Sequence, residues 1–294
     1  MHCCSCPGSS RRLWQGQTQP SCAGVPELPE VETTVRGLTP VLSGQRLTLV
    51  EPRRADLRKV IPVDLRQRLT GATVKTLGRR AKYGMIDTDR GDTLIFHLGM
   101  SGRWRVDPDE EEKHDHLVIE TEGGRRLALN DPRRFGFLDI WRSDSLADYP
   151  PFAAMGPEPL GPDFTGLYLD SVLEGRAAPI KAMLLDQRIV AGLGNIYVCE
   201  ALHVAGIAPS RAAGQIARAR LDRLVIAVHD VLLAAIEAGG STLRDFAHPD
   251  GQLGYFSKQF LVYGQEGEPC GCGGAVKRRT ESGRSTFWCP RCQR

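Results

Sequence analysis

The chain has no long apolar run. Its greasiest stretch, Leu224 to Ile236, is interrupted by His229 and Asp230, well short of the roughly 18 residues that span a bilayer, so a transmembrane helix is excluded. Aromatic residues are scarce at 6%, yet 41% hydrophobic and 25% charged residues is the balance of a globular protein rather than a disordered or fibrous one. Neither charge dominates: 38 basic residues against 35 acidic ones leave a net charge of +3, which taken globally names no partner. The first 25 residues lack the apolar core of about 7 to 15 residues that a secretory signal needs. They also lack any periodic apolar pattern, so we expect residues 1–25 to stay outside the core and the protein to work in a reducing cytoplasm where disulfides do not form. No internal repeat is found.

What is there falls into segments. At 294 residues the chain is long enough for two domains, each with its own core. Val31 to Leu42 reads as a helix, and the alternating stretches Thr93 to His97, Leu117 to Glu120 and Gly136 to Trp141 read as strands, so residues 26–150 are expected to form a β-rich domain. After a Pro- and Gly-rich linker, 151–162, the apolar period becomes helical at Leu167 to Glu174, Ile180 to Asp186, Ile196 to Ala205 and Leu221 to Ala238. Residues 163–256 are thus expected to be a helical domain ending in a loop, and 257–294 a small cysteine-bounded module, which makes the class α+β. Charge is clustered locally: Arg53 to Lys82 holds ten basic residues against Asp56 and Asp64, and Cys270 to Arg294 holds six against Glu281. Such clusters are solvated faces or polyanion-binding surfaces.

The nine cysteines form three groups. Cys270-Gly271-Cys272 and Cys289-Pro290-Arg291-Cys292, with sixteen residues between the pairs, have the spacing of a β-hairpin folded around one tetrahedral structural Zn2+. The first pair is one residue shorter than usual, which removes a loop residue whose backbone N–H would face sulfur. Lys277, Arg278, Arg279 and Arg284 on this hairpin are expected to face one partner together. Cys199, on an expected helix, reads as a small buried hydrophobe.

The opening segment Pro26-Glu27-Leu28-Pro29-Glu30-Val31 places two prolines and two carboxylates at a helix start, which alone is capping chemistry. Farther on come Arg79-Arg80-Ala81-Lys82-Tyr83, His97-Leu98-Gly99-Met100-Ser101-Gly102, Lys113-His114-Asp115-His116, Asp131-Pro132-Arg133-Arg134-Phe135-Gly136 and Gly192-Leu193-Gly194-Asn195-Ile196-Tyr197. In this order they closely resemble the formamidopyrimidine-DNA glycosylase family, from Pro26 to Arg294.

The resemblance implies a two-layered β-sandwich flanked by helices, then a helix-two-turns-helix domain and a zinc hairpin. It also implies a bifunctional glycosylase and abasic-site lyase that acts on oxidised purines in double-stranded DNA as a monomer. Position by position, Pro26 matches the nucleophile, Glu27 the proton donor to the departing base, Lys82 the residue of β-elimination and Arg284 that of δ-elimination. Met100, Arg133 and Phe135 match residues that fill the void left by a flipped nucleotide. His114, Arg133 and Arg176 match DNA contacts, Lys181 and Asn195 are expected to hold phosphates, and Glu30 to orient the site. Ser241 to Phe256 resembles a loop that closes over the extruded base. An endonuclease VIII-like pyrimidine glycosylase is the nearest enzyme alternative; Leu28, Val31 and the grouping of Met100 with Arg133 and Phe135 favour the purine enzyme.

One feature conflicts with that chemistry. Behind 25 residues the nitrogen of Pro26 is a tertiary amide with no nucleophilic lone pair. Val25 is what a GTG start codon becomes when translated literally, so the expected active chain begins at Pro26. It then lacks two arginines and four cysteines, and the net charge falls to +1. A chain that keeps its extension is instead expected to be a non-catalytic binder of damaged DNA.

Overall fold

A computed structural model describes residues 26–241, 256–281 and 283–294; the expected extension 1–25 and most of the expected capping loop, 242–255, lie outside the described residues. Helix α1 (Leu28–Leu42) begins three residues before the periodic pattern does. Pro29 presets its first turn, and Glu30 reaches back so that its Oε2 accepts the backbone N–H of Glu27 at 2.9 Å. The strands are β1 (Leu47–Pro52), then β2 (Val74–Arg80) after the short α2 (Leu65–Leu69), β3 (Tyr83–Thr88), β4 (Asp92–His97), β5 (Arg103–Val106), β6 (Asp115–Thr121), β7 (Arg126–Asn130) and β8 (Phe137–Arg142). They pair antiparallel into two four-stranded sheets, ordered β1-β6-β7-β5 and β2-β3-β4-β8. The three strands expected from alternation are the apolar centres of β4, β6 and β8. Leu94, Phe96, Trp104, Leu117, Ile119 and Leu138 from the two sheets join Val31, Leu38 and Leu42 of α1 in one buried core.

The second half is helical: α3 (Pro150–Ala153), α4 (Gly166–Leu173), α5 (Ile180–Leu185), α6 (Asn195–Val204) and α7 (Arg218–Glu237), followed by the hairpin β9 (Lys277–Glu281) and β10 (Arg284–Trp288). The four expected helices are each found within a few residues of their predicted ends. A second core gathers Leu184, Tyr197, Leu202, Leu224 and Leu232 with Cys270, Phe287 and Cys289, so the cysteine hairpin docks on the helices rather than hanging free. Leu28, at the first turn of α1, belongs to this second core while Val31 onward serves the first. The helix therefore straddles both halves. Among the described residues, no helix is long and apolar enough to cross a membrane.

Candidate active site and nucleic-acid interface

Between the halves lies a cavity of about 1030 Å³ whose walls include Glu27, Lys82, His97, Met100, Arg133 and Arg284. Residues from the start, middle and end of the chain thus converge on one space. Pro26, immediately before Glu27, is buried.

Glu27 is held by the start of α6. Its Oε1 accepts the backbone N–H of Ile196 at 2.9 Å, and its Oε2 that of Tyr197 at 3.5 Å, two of the amides that a helix leaves unpaired at its N-terminus. Gly194 makes the approach possible: a Cβ there would sit 2.2 Å from Cδ of Glu27. Burial pushes the Glu27 carboxyl up to about 7, against the downward pull of the Lys82 ammonium and the Ile196 amide. The group therefore holds and yields a proton near neutrality. Glu30 is fixed by four donors: Tyr197 Oη at 2.5 Å, the backbone N–H and Oγ of Ser241 at 2.8 Å each, and the Glu27 N–H. It locks the segment carrying Glu27 to α6 and to the end of α7.

Lys82 and Ala81 form the two-residue turn between β2 and β3, with Ala81 at φ 53°. Glu158 braces this turn, accepting from Arg79 at 2.8 Å, Arg80 at 2.8 Å and the Ala81 N–H at 2.6 Å. Burial and the nearby Arg284 guanidinium lower the Lys82 ammonium from its ordinary range, against Glu27, which raises it. A lysine so placed gives up its proton more readily than a solvated one.

The void-filling candidates stand on two interlocked loops. Ser101 Oγ donates to Asp131 Oδ1 at 2.6 Å and accepts the Arg133 N–H at 3.1 Å, while Asp131 Oδ2 accepts the Gly136 N–H at 2.8 Å. Gly99, at φ 64°, lies so close to the second loop that a Cβ would meet the Gly136 nitrogen at 2.3 Å. Phe135 is 42% exposed, with the Arg133 guanidinium 5.2 Å above its ring, and Met100 is half-buried on the cavity wall. Leaving part of a phenylalanine in water forgoes part of the roughly 1.5–3 kcal/mol that full burial gives. Phe135 is thus not an ordinary core residue.

Several expectations meet a different geometry. Lys181 is buried, its Nζ donating to Thr286 Oγ1 at 2.7 Å and to the Ser285 carbonyl at 3.2 Å. Asn195 opens α6, but its Nδ2 donates to the same Ser285 carbonyl at 2.9 Å. Here both side chains anchor β10, which carries Arg284, and the anion at the start of α6 is the Glu27 carboxylate. His114 is half-buried beside His116, and its carbonyl accepts the Asp131 N–H at 3.0 Å, at the root of the void-filling loop. Arg176 is exposed between α4 and α5 and is not on the cavity wall. Half of the basic run from Arg53 to Lys82 is spent on ion pairs, among them Arg53 with Glu111, Arg68 with Asp92, and Arg79 with Glu32 and Glu158, while Arg58 and Lys82 line the cavity. On the hairpin, the cross-strand register puts Arg284 on the face of Arg279 and Glu281, and Arg278 on the other. Arg278 and Arg284 reach the cavity, whereas Arg279 pairs with Glu281 at 2.6 Å.

Sequence reasoning missed three contributors. His97 lines the cavity, its Nδ1 accepts the Gly99 N–H at 2.9 Å, and burial and neighbouring cations pull its pKa down to about 4, so Nε2–H is left as a neutral donor. Its place inside the quoted Gly99-Met100 motif was the available signal. Tyr197 closes the quoted Gly192-to-Tyr197 motif, a signal of the same kind; Glu158, between prolines, had none.

The four cysteine sulfurs lie within 4.8 Å of one another. Cys270 and Cys292 are 3.9 Å apart and Cys272 and Cys289 3.5 Å, bracketing the edge of about 3.8 Å that a tetrahedron with Zn–S bonds near 2.3 Å requires. The shortened first pair still closes the set. Cys199 is fully buried, and burial raises its thiol to about 11.

Comparison with known proteins agrees with this geometry. Residues 25–138 match the formamidopyrimidine-DNA glycosylase N-terminal domain and residues 155–247 its H2TH domain. Formamidopyrimidine-DNA glycosylase of Rhizorhabdus wittichii is 70% identical over 270 residues, covering 92% of this chain and 100% of that protein. A Lactococcus lactis Fpg variant bound to DNA containing Fapy-dG superposes with a TM-score of 0.85 at 34% identity, covering 92% of this chain and 100% of that one. L. lactis Fpg with DNA containing an abasic site gives 0.84 at 34% identity, with the same coverage. The chain belongs to the formamidopyrimidine-DNA glycosylase family of DNA repair glycosylases and abasic-site lyases.

Proposed function

We propose that the chain excises oxidised purines, 8-oxoguanine and formamidopyrimidines, from double-stranded DNA through a Schiff base on Pro26, and then cuts the strand by β,δ-elimination. The observation that carries this reading is the Glu27 carboxyl, poised near neutrality at a helix N-terminus on the wall shared with Lys82 and Arg284. A base inside a duplex is out of reach, so the nucleotide swings out at a cost of a few kcal/mol; Met100, Arg133 and Phe135 enter the gap. The secondary amine of Pro26 bonds to C1′ as the glycosidic bond breaks, and Glu27 gives its proton to the departing base, a contribution of roughly 10² to 10⁴ in rate. The C1′–O4′ bond then opens, O4′ taking up a proton, and the resulting iminium acidifies the C2′ hydrogen. Loss of that proton expels the 3′ phosphate with Lys82 assisting, and a second elimination expels the 5′ phosphate with Arg284 assisting.

His97, with His114, Arg133 and Arg176, contacts the DNA backbone, while Lys181 and Asn195 hold β10 in place behind Arg284. The zinc ion held by Cys270, Cys272, Cys289 and Cys292 is structural and keeps the hairpin folded under Arg284. The protein acts as a cytoplasmic monomer.

This chemistry requires a free ring nitrogen, so the active chain begins at Pro26. Borohydride trapping on duplexes holding 8-oxoguanine opposite cytosine, or thymine glycol, tests both parts. A chain starting at Pro26 is expected to give a reduced covalent adduct chiefly with 8-oxoguanine, and one starting at Met1 none. An equal adduct from the Met1 chain rejects Pro26 as nucleophile, and preference for thymine glycol rejects the purine assignment.

A further inference from the structure

The short pair Cys270-Gly271-Cys272 leaves a deficit that the fold answers from elsewhere. Four thiolates around a divalent ion carry excess negative charge, which N–H donors to sulfur offset. The longer pair keeps Pro290 and Arg291 between its cysteines, whereas the short pair keeps only Gly271, one residue fewer from which an N–H can face sulfur. The turn after Cys270 is closed instead by Gly273 N–H to the Cys270 carbonyl and Cys270 N–H to the Gly274 carbonyl, both at 2.8 Å, so these two amides are spent on carbonyls rather than sulfur.

His203, in the last turn of α6, fills that position. Its Nε2 lies 3.3 Å from Cys270 Sγ and 3.7 Å from Cys292 Sγ. Its Nδ1 is buried with no hydrogen-bond partner, and an N–H pointing at nothing is the costlier arrangement. The proton therefore belongs on Nε2, facing the sulfurs. The four sulfurs already close a tetrahedron, which leaves no vertex for a fifth ligand.

We infer that His203 is the outer donor of the metal site, its Nε2–H bonding to the Cys270 thiolate in place of the backbone amide that the shortened pair lacks. The inference rests on the zinc reading above. It ties metal loading to α6, a helix of 10 residues and so about 15 Å long, whose other end holds the Glu27 carboxylate.

Zinc affinity by competition with a chromophoric chelator, and the absorption spectrum of the cobalt-substituted full chain, test it. His203→Phe is expected to weaken zinc binding about 10- to 100-fold, and His203→Gln, which keeps an N–H at similar reach, to bind close to the parent. Adding one residue between Gly271 and Cys272 is expected to restore affinity to His203→Phe. All cobalt forms are expected to keep the bands of four-sulfur tetrahedral coordination. Parent-like affinity in His203→Phe overturns the inference, as does a cobalt spectrum in which the parent shows mixed sulfur and nitrogen ligation that the variant loses. Should His203→Phe not fold, His203→Gln against the shorter His203→Asn reads the same quantity, and equal affinities overturn it. A parent chain that binds no zinc rejects the zinc reading and this inference together; a zinc-loaded parent matched by His203→Phe rejects the inference alone.

Discussion

Replacing Gly194 by alanine tests the link between the start of α6 and the chemistry at Glu27. The added Cβ would lie 2.2 Å from Glu27 Cδ and 2.5 and 2.6 Å from its two oxygens, closer than atoms pack. The obstructing group is the end of a flexible side chain, so the carboxylate is expected to move while the helix stays. It then leaves the Ile196 and Tyr197 amides for the open cavity. Burial is the largest influence holding its pKa at about 7, and exposure returns it toward the ordinary 4.5. At pH 7 the protonated fraction falls from about one half to about 0.3%, a loss of roughly 10² in any step needing that proton. Single-turnover excision of 8-oxoguanine by a chain beginning at Pro26, followed from pH 5 to 8, is the assay. The variant should approach the parent rate near pH 5, fall about 10²-fold behind at pH 7, and melt within a few degrees of it. Cleavage at a preformed abasic site, where no base departs, should change little. A variant with the parent's rate and pH profile at neutrality would refute the assignment of Glu27 as the acid.

Three other outcomes are expected. Arg284→Ala should leave β-elimination product accumulating on abasic DNA while excision continues, read on a denaturing gel. Phe135→Ala, removing a ring that is 42% exposed, should shift the melting temperature by no more than a few degrees yet slow excision at least 10-fold, as seen by calorimetry beside single-turnover kinetics. His97 titrates at about 4 in the fold against about 6.5 in the unfolded chain. Its contribution to stability is therefore complete above pH 6.5 and lost as pH falls toward 4, which NMR of the imidazole protons and acid melting curves should show; a His97 pKa near 6.5 would contradict its burial.

Much of this was readable in the sequence where chemistry is local. The cysteine spacing announced the hairpin, and the apolar period announced α4 to α7 within a turn of their ends. Strands β2 and β5 escaped notice because Val74 to Arg80 and Arg103 to Val106 carry too many charged or half-exposed positions to alternate cleanly. The site was legible as a set of motifs but not as an arrangement. Nothing local says that Gly194 is small to admit Glu27, 167 positions earlier, or that Lys181 and Asn195 turn inward to one carbonyl of β10. For the same reason composition could not say which cations of the basic run before Lys82 are paired: the partners Glu111 and Glu158 lie far along the chain.

Glu158 has one more consequence. The stretch that reads as slack between two domains is fastened at its middle to Arg79, Arg80 and the Ala81 amide, and Arg80 also grips the Gly156 carbonyl at 2.6 Å. The connector is a clasp. On the proposed mechanism, jaws pinned this near their hinge would meet an incoming helix with their gape already set, so the bending that delivers a nucleotide to Glu27 would fall on the softer body, the nucleic acid, and be felt most at steps that kink with ease.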